Sequence, residues 1–227
     1  MHATPHFRDR YDAGHRLAGA LHALEEQRPL FVLGLPRGGV PVASVIAEAL
    51  DAPMDALIVR RIPVPAHADL ALGAVASGGI RVLNPDVIDG TGLPLDELAR
   101  TLEHEERELE RSEANYRRGR PFPNLAGAAV ILVDDGAASG SSIRAAAEAV
   151  RLLGPRNITA AVPVASRLAA EMIRPVVDRV VCIIEPEPFL TLDRWYADFA
   201  EVSDAEVRVL LDEAHRRWRR AAPLASV

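Results

Sequence analysis

The feature that most constrains the fold of this chain is the alternation of short apolar runs with segments of helical periodicity. Mainly apolar runs occur at 30–35, 56–61, 129–134, 157–165 and 179–184. Helical spacing of apolar residues occurs at 9–26, 40–50, 142–153, 166–174 and 203–218. Short runs without polar alternation are typical of strands buried on both faces. The pattern therefore predicts an α/β fold, with a mainly parallel sheet flanked by helices.

The segments between 62 and 118 fit this alternation less well. Residues 62–73 contain two prolines and have no clear period, which predicts a loop. Residues 72–76 and 80–83 predict a small hairpin around the Ser-Gly-Gly between them. Residues 95–118 predict a long helix, supported by Glu and Arg pairs four residues apart. Its charged side is most simply interpreted as a solvated face.

Length and composition limit the class of protein. A chain of 227 residues, 49% of them hydrophobic, fits a single domain spanning 1–227 with a sizeable core. Its apolar runs are too short to span a bilayer, and its first residues lack the apolar core of a signal peptide. We expect a cytoplasmic protein without a membrane partner, in which Cys182 is a core residue.

The charged residues argue against several kinds of site. The formal net charge is −6 and the basic cluster is confined to 216–220, so no nucleic-acid partner is predicted. All 26 basic residues are arginines, which excludes lysine Schiff-base chemistry and a P-loop lysine. The histidines are scattered, and no metal site built from protein side chains is predicted.

The sequence VILVDDGAASGSS, at 130–142, joins an apolar strand to two acids and a turn of small residues. We call Asp134 and Asp135 the acid pair, and residues 137–142 the serine turn. Small residues let backbone N–H groups approach a ligand, and the helix after the turn directs its positive end there, which predicts a phosphate site. Carboxylates suit hydroxyl donors, such as those of a ribose. An N-capped helix behind two solvated acids is the alternative interpretation.

This stretch resembles the motif that binds phosphoribosyl pyrophosphate (PRPP) in type I phosphoribosyltransferases. Serine stands here where that motif has threonine, so the hydroxyl groups are kept. The resemblance implies a type I phosphoribosyltransferase-like fold in which the acid pair holds the ribose 2′ and 3′ hydroxyls. It also implies that the 5′-phosphate is bound by Ala137, Ala138, Ser139, Gly140, Ser141 and Ser142.

A second stretch, GLPRGGVPVA at 34–43, resembles the pyrophosphate loop of the same family. We call residues 36–39 the glycine loop. In this family, the peptide bond that precedes the position of Arg37 is often strained or cis. The implied pyrophosphate contacts are Pro36, Arg37, Gly38, Gly39, Arg60 and Arg61. A tight turn with a surface arginine, and ordinary ion pairs for Arg60 and Arg61, are the alternatives.

Two further stretches, FRDRYDAGHRLA and WYADF, also carry a resemblance. With them, nearly the whole chain is similar to a bacterial group of phosphoribosyltransferases without a settled substrate. It implies a core of about 28–184, a hood formed by about 1–27 and 185–227, and a long helical insertion at about 94–118. The family often forms dimers, so a homodimer is one assembly that the resemblance implies for this chain. The stretch 62–73 lies where the family has a mobile catalytic loop, although His67 on it is interpreted as solvated.

The implied reaction displaces pyrophosphate from C1 of PRPP by a nitrogenous base. Asp134, Asp135 and Arg37 are the implied catalytic residues, and Mg²⁺ is the implied cofactor, held mainly by PRPP. Ala138 replaces the aspartate of 6-oxopurine enzymes, which counts against a hypoxanthine–guanine acceptor and leaves adenine-like and pyrimidine acceptors open. A noncatalytic regulator that binds PRPP or a nucleotide in the same pocket is the alternative function.

The acceptor would be recognised by the hood, for which the candidate segment is 185–199. Its candidate base contacts are Glu185, Phe189, Trp195 and Tyr196, through stacking and hydrogen bonds. Packing of these aromatic residues against the core is the alternative interpretation.

Overall fold

A computed structural model describes residues 6–25, 27–64 and 67–221, with the backbone alone for 67–69, 220 and 221. The helices are α1 Arg10–Leu21, α2 Gly39–Ala49, α3 Pro85–Thr91, α4 Leu95–Arg117, α5 Ser141–Arg151, α6 Arg167–Ile173 and α7 Asp204–Ala221. The strands are β1 Leu30–Gly34, β2 Met54–Ala56, β3 Val59–Val64, β4 His67–Ala76, β5 Ile80–Leu83, β6 Ala129–Val133, β7 Asn157–Val164 and β8 Arg179–Ile184. None of the helices in these ranges combines the length and apolarity that crossing a bilayer requires.

The main sheet has five parallel strands in the order β2-β1-β6-β7-β8. Helices α1, α2 and α7 cover one face, and α5 and α6 cover the other. Along β6, Ile131 and Val133 pack on the face covered by α1, α2 and α7, whereas Val130 and Leu132 pack on the face covered by α5 and α6. Because both faces are buried, the strand is apolar at every position, and the predicted α/β fold is confirmed.

The register of the central strands brings two loops together. Gly34, at the end of β1, is the parallel partner of Val133 at the end of β6. The Leu35 amide continues this pairing by donating to the Val133 carbonyl at 2.8 Å. The glycine loop and the acid pair therefore leave the sheet side by side, at the edge where parallel sheets usually bind ligands.

The prediction of one strand at 56–61 is wrong. Strand β2 ends at Ala56, and β3 starts at Val59 in a separate antiparallel sheet of order β3-β4-β5. Between them, the Leu57 amide donates to the Gly34 carbonyl at 3.0 Å, whereas the Ile58 amide donates to Ser77 Oγ at 3.1 Å. The chain thus crosses from one sheet to the other within an apolar run, which hydrophobicity alone does not reveal.

The predicted loop at 62–73 is also wrong, because most of this stretch belongs to β3 and β4. Pro63 lies at a register shift between these strands, and β3 is an edge strand. Edge strands and bulges accept proline because no ladder hydrogen bond is lost. The predicted hairpin of β4 and β5 and the long helix α4 are confirmed, whereas α3 was not predicted.

Segments from the two ends of the chain pack together. The Phe7 amide donates to the Trp195 carbonyl at 2.9 Å, and the Ala197 amide donates to the Phe7 carbonyl at 2.8 Å. Phe7 and Tyr196 are buried in one cluster with Val164, at the end of β7. The stretches around Phe7 and Tyr196 therefore form one layer beside the loop-bearing edge of the main sheet, whereas α1 and α7, which lie in the same two segments, cover one face of that sheet.

Candidate functional site

The serine turn is held from behind by β7 and α6. The Ala137 amide donates to the Val164 carbonyl at 2.8 Å, and Ser166 Oγ donates to the Ala138 carbonyl at 2.6 Å. Gly140 has a φ of 75°, and a Cβ there would lie 2.8 Å from the Ala169 carbonyl oxygen. Both the φ value and the close approach require glycine, so the start of α5 is fixed against α6.

The backbone amides of the serine turn are largely free to bind a ligand. Within the described ranges, the N–H groups of Ser139, Gly140 and Ser142 have no hydrogen-bond acceptor, and the Ser141 amide reaches only Ser139 Oγ at 3.4 Å. The three serines are exposed. Unpaired N–H groups at the positive end of α5 can hold a phosphate.

The glycine loop lies directly against the acid pair. The Pro36–Arg37 peptide bond is cis, as the family resemblance led us to expect. A Cβ at Gly38 would lie 1.9 Å from Asp135 Oδ2, and one at Gly39 would lie 2.4 Å from the Val133 carbonyl oxygen. Because a side chain cannot be accommodated at either distance, glycine at both positions lets the loop backbone approach the end of β6.

The two carboxylates of the acid pair have different surroundings. Asp134 is half-buried and lines a cavity of about 460 Å³. Burial, and then the neighbouring Asp135 charge, raise the pKa of Asp134 well above its ordinary value. Asp135 is 8% exposed, and its Oδ2 accepts a hydrogen bond from Arg10 Nε at 2.8 Å. Asp134 therefore faces the cavity, whereas Asp135 is paired inside the protein.

The same cavity brings together residues from the predicted ribose, 5′-phosphate and pyrophosphate contacts. Those lining it include Pro36, Arg60, Arg61, Asp134, Ser141 and Ser142. Glu105, a buried residue of α4, also lines the cavity and accepts a hydrogen bond from Arg60 Nε at 2.7 Å. Helix α4 thereby holds one arginine at the cavity wall.

The side chain of Arg37 is directed towards the C-terminal part of the chain. It forms ion pairs with Glu201 and, at 4.0 Å, with Asp204. All three side chains are substantially exposed. Exposed ion pairs contribute little free energy, so a diphosphate at the glycine loop would compete effectively for this arginine.

The candidate base contacts have unequal surroundings. Glu185 pairs with Arg174 at 3.0 Å. Phe189 and Trp195 are half-buried in the aromatic cluster of the hood. Among the described residues, Trp195 Nε1 is the buried side-chain polar atom without a hydrogen-bond partner. The packing interpretation fits Tyr196, which is 4% exposed.

Tyr196→Phe is expected to lower the free energy of unfolding by about 1–2 kcal/mol. The Tyr196 hydroxyl donates to the Asp135 carbonyl at 2.6 Å, and the substitution leaves that buried acceptor without its donor. Tyr11→Phe is the control, because the exposed Tyr11 hydroxyl reaches Glu206 at 3.2 Å; we expect a loss below about 0.5 kcal/mol. Equal losses for the two variants in urea denaturation would contradict this assignment.

Two residues at the site, Arg10 and Glu105, were missed by the sequence analysis. Arg10 belongs to FRDRYDAGHRLA, which served only as a mark of resemblance. Glu105 was assigned to the charged face of the long helix. Its position, however, follows the helical spacing of Leu98, Leu102 and Leu109, which pack on the core. That spacing predicts burial of Glu105 and could have identified it.

Comparisons with known sequences identify the family. A family model described as "Phosphoribosyl transferase domain" matches residues 67–199. A protein of Mycobacterium tuberculosis strain H37Rv, provisionally named a phosphoribosyl transferase, is 39% identical over 218 residues. The aligned region covers 96% of this chain and 49% of that protein. The chain thus spans about half the length of the curated relatives it matches.

Comparisons with solved structures support the same fold. The crystal structure of TT1426 from Thermus thermophilus has a TM-score of 0.82 at 40% identity, covering 91% of this chain and 98% of that one. A hypothetical protein from Neisseria gonorrhoeae with bound ppGpp has a TM-score of 0.51 at 13% identity, covering 98% and 99%. At that identity, the second likeness is one of fold alone.

Proposed function

Since the chain belongs to the phosphoribosyl transferase family, we propose that it transfers the 5-phosphoribosyl group of PRPP to a nitrogenous base and releases pyrophosphate. One observation carries the proposal: the unpaired amides of the serine turn, the closely packed glycine loop and Asp134 lie together at one edge of the main sheet. This combination suits a molecule that has a phosphate, a sugar and a diphosphate. The setting we propose is nucleotide metabolism in the cytoplasm.

Each part of PRPP has its own contacts in the proposed complex. The 5′-phosphate lies on the serine turn, bound by its amides and hydroxyls at the positive end of α5. The diphosphate lies along the glycine loop, with Arg60 and Arg61 at the cavity wall. The ribose lies between them, with its hydroxyls donating to Asp134. PRPP bound in this way would occupy the cavity.

The protein contributes position and charge rather than covalent chemistry. The bond from C1 to the diphosphate breaks, the base nitrogen bonds to C1, and positive charge builds on the ribose in between. The Asp134 carboxylate stabilises that charge. Arg37, Arg60 and Arg61 offset the negative charge of the departing diphosphate.

Mg²⁺ is the proposed cofactor, and the donor groups of the site fit it. Mg²⁺ prefers oxygen ligands and is usually held by substrate phosphates, waters and one or two carboxylates. No group of three or more His, Cys, Asp or Glu side chains that could hold a metal occurs in the described part of the chain. The oxygens of PRPP would hold Mg²⁺, with Asp134 as the carboxylate beside them. When bound, it would neutralise the leaving diphosphate.

The acceptor class proposed is an adenine-like or pyrimidine base. Ala138 offers no side-chain acid or base near the acceptor. Phe189 and Trp195 are the candidates for stacking on the base, and Glu185 is the candidate for a hydrogen bond. The buried and unpartnered Trp195 Nε1 is a donor that the described residues leave unused.

Release of pyrophosphate tests the proposed function. With PRPP, Mg²⁺ and a panel of purine and pyrimidine bases, we expect pyrophosphate and the matching nucleoside 5′-monophosphate to appear for at least one base. Tight PRPP binding without release for any base would favour the noncatalytic regulator. Absence of PRPP binding would contradict the transferase and also a regulator that binds PRPP.

Ser142→Asp is expected to weaken PRPP binding by about 100-fold, because it places a carboxylate among the amides that hold the phosphate. Ser142→Ala keeps the amide and should weaken binding by less than about fivefold. Ser203→Asp is the matched control: Ser203 Oγ accepts from the Glu206 amide at 3.1 Å as the N-cap of α7, where aspartate caps equally well. Calorimetric titration with PRPP measures all three, and equal affinities for the two aspartate variants would refute the phosphate site.

A further inference from the structure

The Asp135 carboxylate is enclosed on two sides. On one side, Oδ2 accepts from Arg10 Nε at 2.8 Å, and the two side chains are only 11% and 12% exposed. On the other side, a Cβ at Gly38 would lie 1.9 Å from Oδ2 and 3.0 Å from Oδ1. The carboxylate is therefore packed between α1 and the glycine loop, and it is absent from the described lining of the cavity.

Arg10 is itself held by the C-terminal part of the hood. Its Nη1 donates to the Ala200 carbonyl at 2.7 Å, and its guanidinium lies 3.9 Å from the centre of the Phe199 ring. The Tyr196 hydroxyl donates to the Asp135 carbonyl at 2.6 Å. Both hood segments thus converge on the main chain and side chain of Asp135.

We propose that Arg10 is a positioning residue. Its ion pair holds the Asp135 side chain between the hood and the glycine loop, away from the substrate. Asp134 alone then binds the ribose. This inference rests on the proposed function, because it assumes that PRPP occupies the cavity. It separates the roles of two acids that the family resemblance treats as a pair.

The energetics favour this arrangement over a ribose contact by Asp135. A ribose hydroxyl could reach that carboxylate only by displacing Arg10 or the glycine loop. Displacing Arg10 would break a charge-assisted hydrogen bond between two largely buried side chains, which costs more than a hydrogen bond from a neutral hydroxyl returns. Asp134 needs no such displacement, because it already faces the cavity.

The test is PRPP affinity, measured by calorimetry on the full chain with Mg²⁺, for variants of both acids and of Arg10. We expect Asp134→Asn to weaken binding by about 30-fold or more and Asp135→Asn by less than about threefold. Arg10→Met should weaken binding by about tenfold, since it leaves an unpaired carboxylate against the glycine loop. Adding Asp135→Asn to Arg10→Met removes that charge and should restore affinity to within about threefold of the wild type.

The rescue distinguishes positioning from a ribose contact. If Asp135 bound the ribose, the double variant would be at least as weak as either single variant, and that result would overturn the inference. A folded Asp135→Asn protein with a 30-fold loss, or an Asp134→Asn protein with wild-type affinity, would also overturn it. Arg16→Met removes an exposed arginine from the same helix and should change nothing.

Two further readouts keep the inference testable. Thermal denaturation confirms that each variant folds; should Arg10→Met not fold, the comparison of Asp134→Asn with Asp135→Asn decides the question. A wild-type protein that does not bind PRPP would instead refute the proposed function. The two failures are therefore distinguishable.

Discussion

Gly39→Ala is expected to lower the free energy of unfolding by about 3 kcal/mol or more and to remove measurable PRPP binding. The added Cβ would lie 2.4 Å from the Val133 carbonyl oxygen and 2.9 Å from Asp134 Cα. These obstacles are backbone atoms at the end of β6, and Val133 is paired with both Gly34 and Ala161. Because the strand cannot move aside without losing those pairings, the glycine loop would have to leave the acid pair.

Gly19→Ala is the matched control for this prediction. Gly19 lies within α1, and a Cβ there would meet nothing within 4 Å. Alanine favours a helix over glycine, so this variant should be unchanged or more stable by up to about 1 kcal/mol. Urea denaturation and PRPP titration measure both variants. If Gly39→Ala behaves like Gly19→Ala, the close contact between the glycine loop and β6 is not a requirement of the site.

The parts of the fold that could be predicted are those with a local cause in the sequence. Strand β6 is apolar at every position because helices cover both of its faces. The uninterrupted apolar run therefore predicts a strand buried on both faces without a structure. The serine turn and the glycine loop were identifiable because close backbone approach permits only small residues. The glycine positions inferred from sequence are those where a Cβ would clash, at Gly38, Gly39 and Gly140.

The parts that could not be predicted depend on pairing between distant residues. Nothing in an apolar run marks Leu57 and Ile58 as the point where hydrogen bonding changes from Gly34 to Ser77. The partner of Asp135 is Arg10, separated from it by 125 positions in the chain. The unequal surroundings of two adjacent acids therefore became visible only in three dimensions.

Arg117→Met is expected to cost about 3–5 kcal/mol of stability, because it removes one partner from a buried network. Arg117 is 3% exposed and forms ion pairs with Asp55, at 3.1 Å, and with Glu113. It also donates to the Ala56 carbonyl at 2.5 Å and to Ser77 Oγ at 3.0 Å. These bonds tie α4 to the crossing between the two sheets, and therefore to the wall of the cavity.

The control for this variant is Arg111→Met, which removes an exposed arginine paired with Glu108 on the same helix. Its expected cost is below about 1 kcal/mol, as for other exposed ion pairs. Urea denaturation at neutral pH compares the two variants. Similar losses would show that the contacts of Arg117 do not hold the crossing.

The cost of Arg117→Met should also depend on pH, through Asp55. Burial raises the pKa of Asp55, and Arg117 opposes that rise. Without Arg117, the pKa of Asp55 in the folded state rises further, while its value in the unfolded state stays at about 3.9. Between these two pKa values, Asp55 of the variant is protonated in the folded state and ionised in the unfolded state. The variant therefore loses stability relative to the wild type as the pH rises through this range. We expect a larger deficit at about pH 7.5 than at about pH 5, and adding Asp55→Asn should remove that difference. A deficit that is the same at both pH values would show that an uncompensated Asp55 charge is not its cause.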